Sequence, residues 1–505
     1  MEDYAWFRTD TAGLRFSAIN GRDRSRLFRM SAVLREEVDP ERLQRAVNDV
    51  MPRFPAFRCR CRDGFFWGYL EGVGGIPQAA PEGPQIAVLR RLGGPDTPEL
   101  EVLYYRRRIS VEGSHVLGDG LSYLTFLRAL LAEYLILGGA DAAQFRAVLP
   151  APGTQDPETW EDAYARYGRG GDRRLPPKPE AYRLRPDILR GYLRHVSALI
   201  PADRLAEAGR ARGLTVTEYL AAVMIRTVIA AAPAPITKKI IISVPVNLRS
   251  MFPSRTLRNF LYEASVVFSP EGRTEVSLEE ICAAVRGQLR EELTEKNVQA
   301  FIDHVHGLPG KLHLALFPFC IKKPVLHLMQ RVVHRRKMTA VLSNLGRLEL
   351  PGAMAEAVER IDVVGGNVSV YGISMFCSAV GFNGWINVSF SLCGHDAAFV
   401  RSFFRAVAGE GIPIRVESSD GNGMDPDVQG FPKRCPACRV ELGEEYGICP
   451  LCGAAPVPAA PEILGFRTAP YPASAPAPAA PARPPGQYRR GFREAYFDLR
   501  RPEKP

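Results

Sequence analysis

Residues 151–186 hold too little apolar sequence to build a core. They are rich in Pro, Gly and charge, with Arg173-Arg-Leu-Pro-Pro-Lys-Pro179 near the centre, and such a stretch reads as a linker. Each flank must then bury its own apolar surface, which predicts two mixed α/β units over 1–150 and 187–418. In the first, Asp39 before Pro40 starts a helix with Leu43, Ala46, Val47 and Val50 on one face, ending near Pro52. Alternating Phe57–Arg62 and the run Phe65–Leu70 predict two strands around a tight Asp63-Gly64 turn. A further strand over 100–111 leads, through Ser114 to Gly120, into an apolar helix carrying Leu121, Leu124, Leu127, Leu131 and Leu135. The second unit repeats the mixture. Thr215-Val-Thr-Glu218 is a capping box, Lys239–Val246 a buried strand, and Asn383-Gly384 a hairpin turn between strand-forming runs.

With 505 residues, 46% hydrophobic and 24% charged, the chain can bury an ordinary core in two or three structural units. The net charge is +10, of which the eight basic and four acidic residues from Ala454 onward supply +4. The body is only mildly basic, short of the charge blocks of a nucleic-acid-coating protein and equally compatible with an anionic small-molecule partner; nucleic acid is not expected. The acids near the N-terminus speak against a leader, and the apolar windows Leu312–Ile321 and Leu121–Leu137 are too short or broken by Arg128 and Glu133 to span a bilayer. A cytoplasmic protein is expected. Cysteines 59, 61, 282, 320, 377 and 393 read as reduced core residues.

Beyond 418 a second linker, 419–432, precedes a small module over 433–454. Cys435-Pro-Ala-Cys438 and Cys449-Pro-Leu-Cys452 bring four thiolates on two turns, the set that a tetrahedral structural zinc ribbon requires. Four protein ligands leave no open position for catalysis at the metal. The Ala/Pro-rich tail, 455–505, is expected to be disordered or extended. Near its end Tyr488, Phe492, Tyr496 and Leu499, interleaved with arginines, form a candidate short basic amphipathic helix able to touch a membrane surface. His304, His306 and His313 match no common metal spacing, and Arg331–Lys337 is a basic patch that fits either phosphates or solvent.

His115-x-x-x-Asp119-Gly120 sits where a strand hands over to a helix. An imidazole there can act as general base, the Asp can fix the loop, and Gly permits the turn into the helix. Together with Asp39-Pro-Glu-Arg-Leu43, Arg53-Phe-Pro-Ala-Phe57, Gly213-Leu-Thr-Val-Thr-Glu-Tyr-Leu220, Val244-Pro-Val-Asn-Leu-Arg249, Asn259-Phe260, Leu342-Ser-Asn-Leu-Gly346 and Phe382-Asn-Gly-Trp385, this motif resembles the His-dependent acyltransferase superfamily. That superfamily includes chloramphenicol acetyltransferase and peptide-synthetase condensation domains. The resemblance spans about residues 5–415 and is greatest to bacterial alcohol acetyltransferase-like proteins.

The resemblance implies an α/β fold: two chloramphenicol-acetyltransferase-like subdomains with an active-site tunnel between them, here followed by the zinc ribbon and tail. It implies acyl transfer from a thioester to an alcohol or amine, with His115 as general base and Asp119 as a structural acid whose ion-pair candidate is Arg249. Asn259, Ser343 and Asn344 are tunnel candidates, the latter two for holding the thioester carbonyl, and Asn383 and Trp385 occupy a hairpin that reads Asp-Phe-Gly-Trp-Gly in plant relatives. A single His before the motif and no adenylation or carrier unit favour free acyl-CoA as donor, with an acyl carrier protein as the alternative. A rival reading is a catalytically inactive scaffold that recruits nucleic acid, membrane or protein through its ribbon and tail. Acyl-chain length, acceptor and oligomeric state are left open by the resemblance.

Overall fold

The computed structural model describes residues 6–11, 13, 16, 27–82, 96–145, 147–150, 157–170, 179–184, 194–307, 317–333, 337–365, 375–392, 398–418, 433–437, 441–442, 448–449 and 454–458. Its strands in chain order begin with β1 Trp6–Arg8, β2 Leu27–Leu34, β3 Cys59–Asp63, β4 Gly68–Gly72, β5 Ala80–Pro81, β6 Leu100–Tyr105, β7 Arg108–Ser114, β8 Arg194–Pro201 and β9 Ile240–Asn247. They continue with β10 Leu261–Phe268, β11 Ala340–Arg347, β12 Val358–Val364, β13 Met375–Phe382, β14 Trp385–Leu392, β15 Arg415–Ser418, β16 Lys433–Arg434, β17 Glu441–Leu442 and β18 Val457–Pro458. They assemble into sheets ordered β1-β4-β3, β12-β2-β7-β6-β5 and β10-β9-β11-β13-β14-β8-β15-β17-β16-β18. The fold is mixed α/β, and no described helix is long and apolar enough to cross a membrane.

Local sequence explains most elements. The helix Pro40–Val50 starts where the Asp39 carboxylate accepts from the main-chain N–H groups of Glu41 and Arg42, both at 3.0 Å, and it buries Leu43, Ala46, Val47 and Val50. With the helix Gly120–Ile136 it covers the five-stranded sheet and forms one core. The helix Val216–Ala231 carries the full Thr215–Glu218 capping box and is buried nearly all round, as its apolar sequence requires, within the second core against the ten-stranded sheet. Asn383 and Gly384 both take positive φ, 49° and 80°, and close the β13–β14 hairpin at the Phe382–Trp385 pair.

Three local expectations are corrected. The expected strand over 100–111 is the hairpin β6–β7, turning at Arg106 and Arg107 with Arg106 at φ 48°. No turn residue marks it. Tertiary bonds hold it instead: Leu34 N–H to Arg107 O at 2.7 Å, Val38 N–H to Arg106 O at 2.8 Å, and the Arg107 guanidinium to Leu34 O and Glu359. The β3–β4 turn is not the two-residue Asp63-Gly64, because Asp63 pairs with Gly68 across a loop of residues 64–67 whose Phe65 and Phe66 are exposed. Among the cysteines expected in the core, Cys59, Cys282 and Cys377 are buried, Cys61 is half-buried, and Cys320 is exposed on the helix Phe319–Val333; Cys393 lies outside the described residues.

The sheet of the N-terminal stretch is completed from the C-terminal one. β12 pairs antiparallel with β2, and its Asp362 accepts from Asn387 of β14 while Ser378 of β13 donates to Val363 O at 2.7 Å. A buried ionic layer lies here: Arg29 with Glu112 at 2.7 Å and Glu82 at 2.8 Å, Arg108 with Glu82 at 3.1 Å, and Arg360 with Asp362 at 3.0 Å. Buried ions are tolerated only when paired, as these are.

Candidate active site

β7, buried along its whole length, delivers Ser114 to the start of the loop. There the Tyr123 hydroxyl donates to Ser114 O at 2.9 Å, and Leu117 N–H closes back on the same oxygen at 3.0 Å. Gly113 must lack a side chain, since a Cβ would occupy the place of the Tyr123 phenol. His115 follows, half-buried, its ring 4.4 Å from that of Phe28 and stacked at 5.0 Å on that of Phe16.

Asp119 caps the helix Gly120–Ile136. One carboxylate oxygen accepts from Ser122 N–H at 3.2 Å and Ser122 Oγ at 2.9 Å; the other accepts from Phe260 N–H at 3.0 Å and Arg249 Nη1 at 2.8 Å. Arg249 is held in turn. Its Nε donates to Thr256 O at 2.9 Å, Nη2 to Arg258 O at 2.6 Å, and Nη1 to Asn247 Oδ1 at 2.9 Å. Leu248 and Phe260, on either side of this loop, anchor it in a small apolar cluster with Tyr164, Phe252, Val298 and Ile302. The Asp119–Arg249 pair, with side chains 6% and 10% exposed, thus clips the histidine loop to residues from the other half of the chain.

Asn259 forms a second clip. It is fully buried, and its Nδ2 donates to His115 O at 2.9 Å and to Asp10 Oδ2 at 3.1 Å. Asp10 was not a sequence candidate, and no spacing could reveal a partner 249 residues away. Burial first, then the Asp162 charge, push its carboxyl up to about 6, against the Gly13 N–H, Arg258 and Asn259 that favour the anion. Arg258 is 1% exposed and lies over the Phe7 ring at 5.9 Å; its guanidinium nitrogens have no hydrogen-bond partner among the described residues, and burial lowers its pKa.

The remaining candidates fall in different places. Gly120 faces β11: a Cβ there would stand 3.2 Å from Leu345 Cδ2 and 3.4 Å from Met30 Cε, so glycine permits a close approach. Ser343 and Asn344 precede Leu345 on β11, both half-buried. The Asn344 amide donates to Thr217 Oγ1 at 3.0 Å and its oxygen accepts from Gly346 N–H at 2.9 Å. Asn383 makes the hairpin turn, and Trp385 lies beneath the Arg415 guanidinium at 4.7 Å. Beyond Asp10 opens a cavity of about 1780 Å³ whose lining includes Trp6, Phe7, Trp67, Trp160, Asp162 and His306.

The fold is one that solved acetyltransferases share. The trichothecene 15-O-acetyltransferase of Fusarium sporotrichioides superposes with a TM-score of 0.52 at 12% identity, covering 80% of this chain and 94% of that one. Polyketide synthase associated protein 5 of Mycobacterium tuberculosis gives 0.54 at 15% identity, covering 85% of this chain and 100% of that one. TRI101 of F. graminearum, solved with coenzyme A and T-2 mycotoxin, gives 0.50 at 11% identity over 77% and 95%. By sequence, no family model and no curated protein matches the chain.

In the cysteine module, β16 pairs with β17 and β18, and Cys449 N–H donates to Ala454 O at 2.9 Å. Cys435 and Cys449 are both buried in the larger core. Cys438 and Cys452 lie outside the described residues, as do His313 and the terminal basic stretch. Among the described residues no three His, Cys, Asp or Glu side chains gather at metal distance. Cys435 directly follows β16 and Cys449 lies outside the strands; both are thiols of the donor type that structural zinc takes.

Proposed function

We propose that the chain is a cytoplasmic acyltransferase that moves an acyl group from acyl-CoA to an alcohol or amine, with His115 as general base. The observation that carries this reading is the double clip on the His115 loop. Asp119–Arg249 and Asn259–His115 O fix the main chain on both sides of a half-buried imidazole. Such fixation favours a side chain kept in one place for proton transfer. The acetyltransferase fold and the coenzyme A bound in one similar structure support the donor class.

In the proposed step the imidazole takes the proton of the acceptor hydroxyl or amine as its oxygen or nitrogen attacks the thioester carbonyl. The tetrahedral intermediate collapses, the C–S bond breaks, and the leaving thiolate recovers the proton from the imidazolium. Ser343 is the residue on β11 proposed to meet the developing oxyanion, since the Asn344 amide already serves Thr217. Thiol release from a panel of acyl-CoAs with pooled acceptors tests the reading. His115→Ala should lower turnover by roughly 10²–10⁴-fold in a folded protein. Turnover equal to wild type, or no turnover of any CoA ester or carrier-bound thioester by wild type, rejects it.

The proposal includes a structural zinc held by Cys435, Cys438, Cys449 and Cys452. Four thiolates would fill its coordination and confer folding energy rather than chemistry. Metal analysis of the purified protein should find about one zinc per chain, lost on replacing Cys435 and Cys449 by Ser.

A further inference from the structure

The cavity of about 1780 Å³ is walled by β1, by the β3–β4 hairpin with its loop 64–67, and by the segment around Trp160 and Asp162. Three of the chain's four tryptophans, Trp6, Trp67 and Trp160, line it together with four Phe and Tyr rings. Seven aromatic side chains among 22 lining residues far exceed the 9% aromatic share of the chain, whereas the aliphatic side chains there are two small ones, Val73 and Ala165. A seat for an alkyl chain would be walled by Leu, Ile and Met; this one is walled by rings. The inner rings are held in place, since Phe7 packs on Trp160 at 4.5 Å and Lys322 Nζ stands 3.6 Å from the centre of the Trp67 ring. Trp6 and Phe65 are 67% and 71% exposed. A concave site lined by aromatic side chains and a few fixed polar groups is the usual form of a small-molecule pocket.

Charge accounting narrows the ligand. Arg62 and Glu71 pair with each other at 2.6 Å. One Asp162 oxygen accepts from the Thr11 N–H and hydroxyl and the other from the N–H groups of Tyr164 and Ala165. Both oxygens of Asp10 are taken by Gly13 and Asn259. His306 packs on Gly168, where a Cβ would stand 2.5 Å from its Cγ. Among the described lining residues this leaves Arg8 and Asp96, exposed and of opposite sign, so the wall offers no net charge to an ion. Ring faces are what remains to be covered, and rings prefer offset-stacked or edge-to-face partners. We infer that this cavity binds an uncharged, multi-ring aromatic molecule. His115 is not among the lining residues, and the inference concerns binding alone, so it holds whether or not the proposed acyl transfer does.

N-phenyl-1-naphthylamine is such a molecule, and its fluorescence rises when it leaves water. Titrated into the full-length protein under tryptophan excitation, it should gain emission by energy transfer while tryptophan emission falls, because three of the four tryptophans line the cavity. 8-Anilinonaphthalene-1-sulfonate has the same rings plus a negative charge and should bind about tenfold more weakly or worse. 2-Naphthol should displace the probe, and 1-octanol, of similar hydrophobicity but without a ring, should not. Trp6→Ala with Phe65→Ala removes two exposed rings, so affinity should fall by about tenfold with little change in melting temperature. Leu328→Ser alters an exposed apolar residue outside the cavity and should bind the probe as wild type does. No binding by wild type, equal affinity for the sulfonate, displacement by 1-octanol as effective as by 2-naphthol, wild-type affinity in the double variant, or lost affinity in Leu328→Ser each overturns the inference. Acyl-CoA turnover enters none of these readouts, so the binding site and the proposed chemistry fail independently.

Discussion

Asp119 and Arg249 each have several partners, and this makes conservative substitutions there severe. Asp119→Asn would set an amide N–H group either against both Arg249 and the Phe260 N–H, which share one oxygen, or against the Ser122 N–H, leaving a buried donor facing a donor. Breaking one side of a buried pair costs about 3–5 kcal/mol, so both Asp119→Asn and Arg249→Ala should lower the urea midpoint markedly. Arg249→Lys should resemble Arg249→Ala more than wild type, because one ammonium cannot reach Asp119, Asn247, Thr256 and Arg258 together. A lysine variant with wild-type stability and turnover would show that the fork geometry is dispensable. Gly118→Ala tests the loop in another way: its Cβ would lie 2.4 Å from Leu257 O, so the loop must shift. Turnover should fall, and the melting temperature with it, reflecting the roughly 1–3 kcal/mol that overpacking a buried site costs. The importance of Gly113 and Gly118 was not legible in the sequence, since their constraints come from Tyr123 and Leu257 in space, whereas Gly120 stood out by its place beside Asp119.

Elements announced by local chemistry were readable. Asp39, the Thr215–Glu218 box and Asn383-Gly384 each act on atoms within four residues, and the structure has the helix starts and the hairpin that they imply. The Arg106–Arg107 turn carries no such signal, because its positive φ is compensated by bonds from Leu34 and Val38. β8 carries a consequence equally hidden from local reading: His195, 1% exposed, faces the buried ionic layer. Burial, then the charges of Arg29, Arg108 and Arg360, push its pKa down to about 3. An unfolded chain protonates this group near pH 6.5, so the folded state loses relative stability as pH falls from about 6.5 toward 3, by about 1.4 kcal/mol per pH unit. Asp10 acts oppositely, its raised pKa of about 6 letting the folded chain take up a proton first. The His195 contribution is therefore read as a difference. Urea melts of wild type and His195→Asn should show a stability gap that narrows as pH falls from 7 to 5, and a constant gap would mean that His195 is not held neutral.

At the scale of the whole molecule, the exchange of strands between the two stretches was not legible, nor was the helix Ala163–Tyr167, whose buried Ala163 and Tyr164 lie inside the expected 151–186 linker. β12 reads as one more apolar strand of the C-terminal stretch, and only its pairing with β2 places it in the other sheet. The cysteine module shows the same limit. Its spacing suggests an autonomous appendage, yet β17 pairs with β15 at Arg415–Glu441, and Cys435 and Cys449 pack in the core that also holds Val416, Phe404 and Ile414. If zinc organises this module, its removal must reach the body. A ribbon on a free tether would melt alone and leave the main transition where it was. A ribbon whose ligands are part of the core should instead lower the main calorimetric transition, because binding energy supplied by the metal is folding energy for whatever packs on it. Stripping with a strong chelator, followed by calorimetry before and after zinc is restored, should therefore lower the main melting temperature by several degrees or more. The decrease should be reversed by zinc and absent from the Cys435→Ser, Cys449→Ser variant, which should already melt at the lower temperature. A main transition indifferent to chelation would make the module a passenger on the ten-stranded sheet.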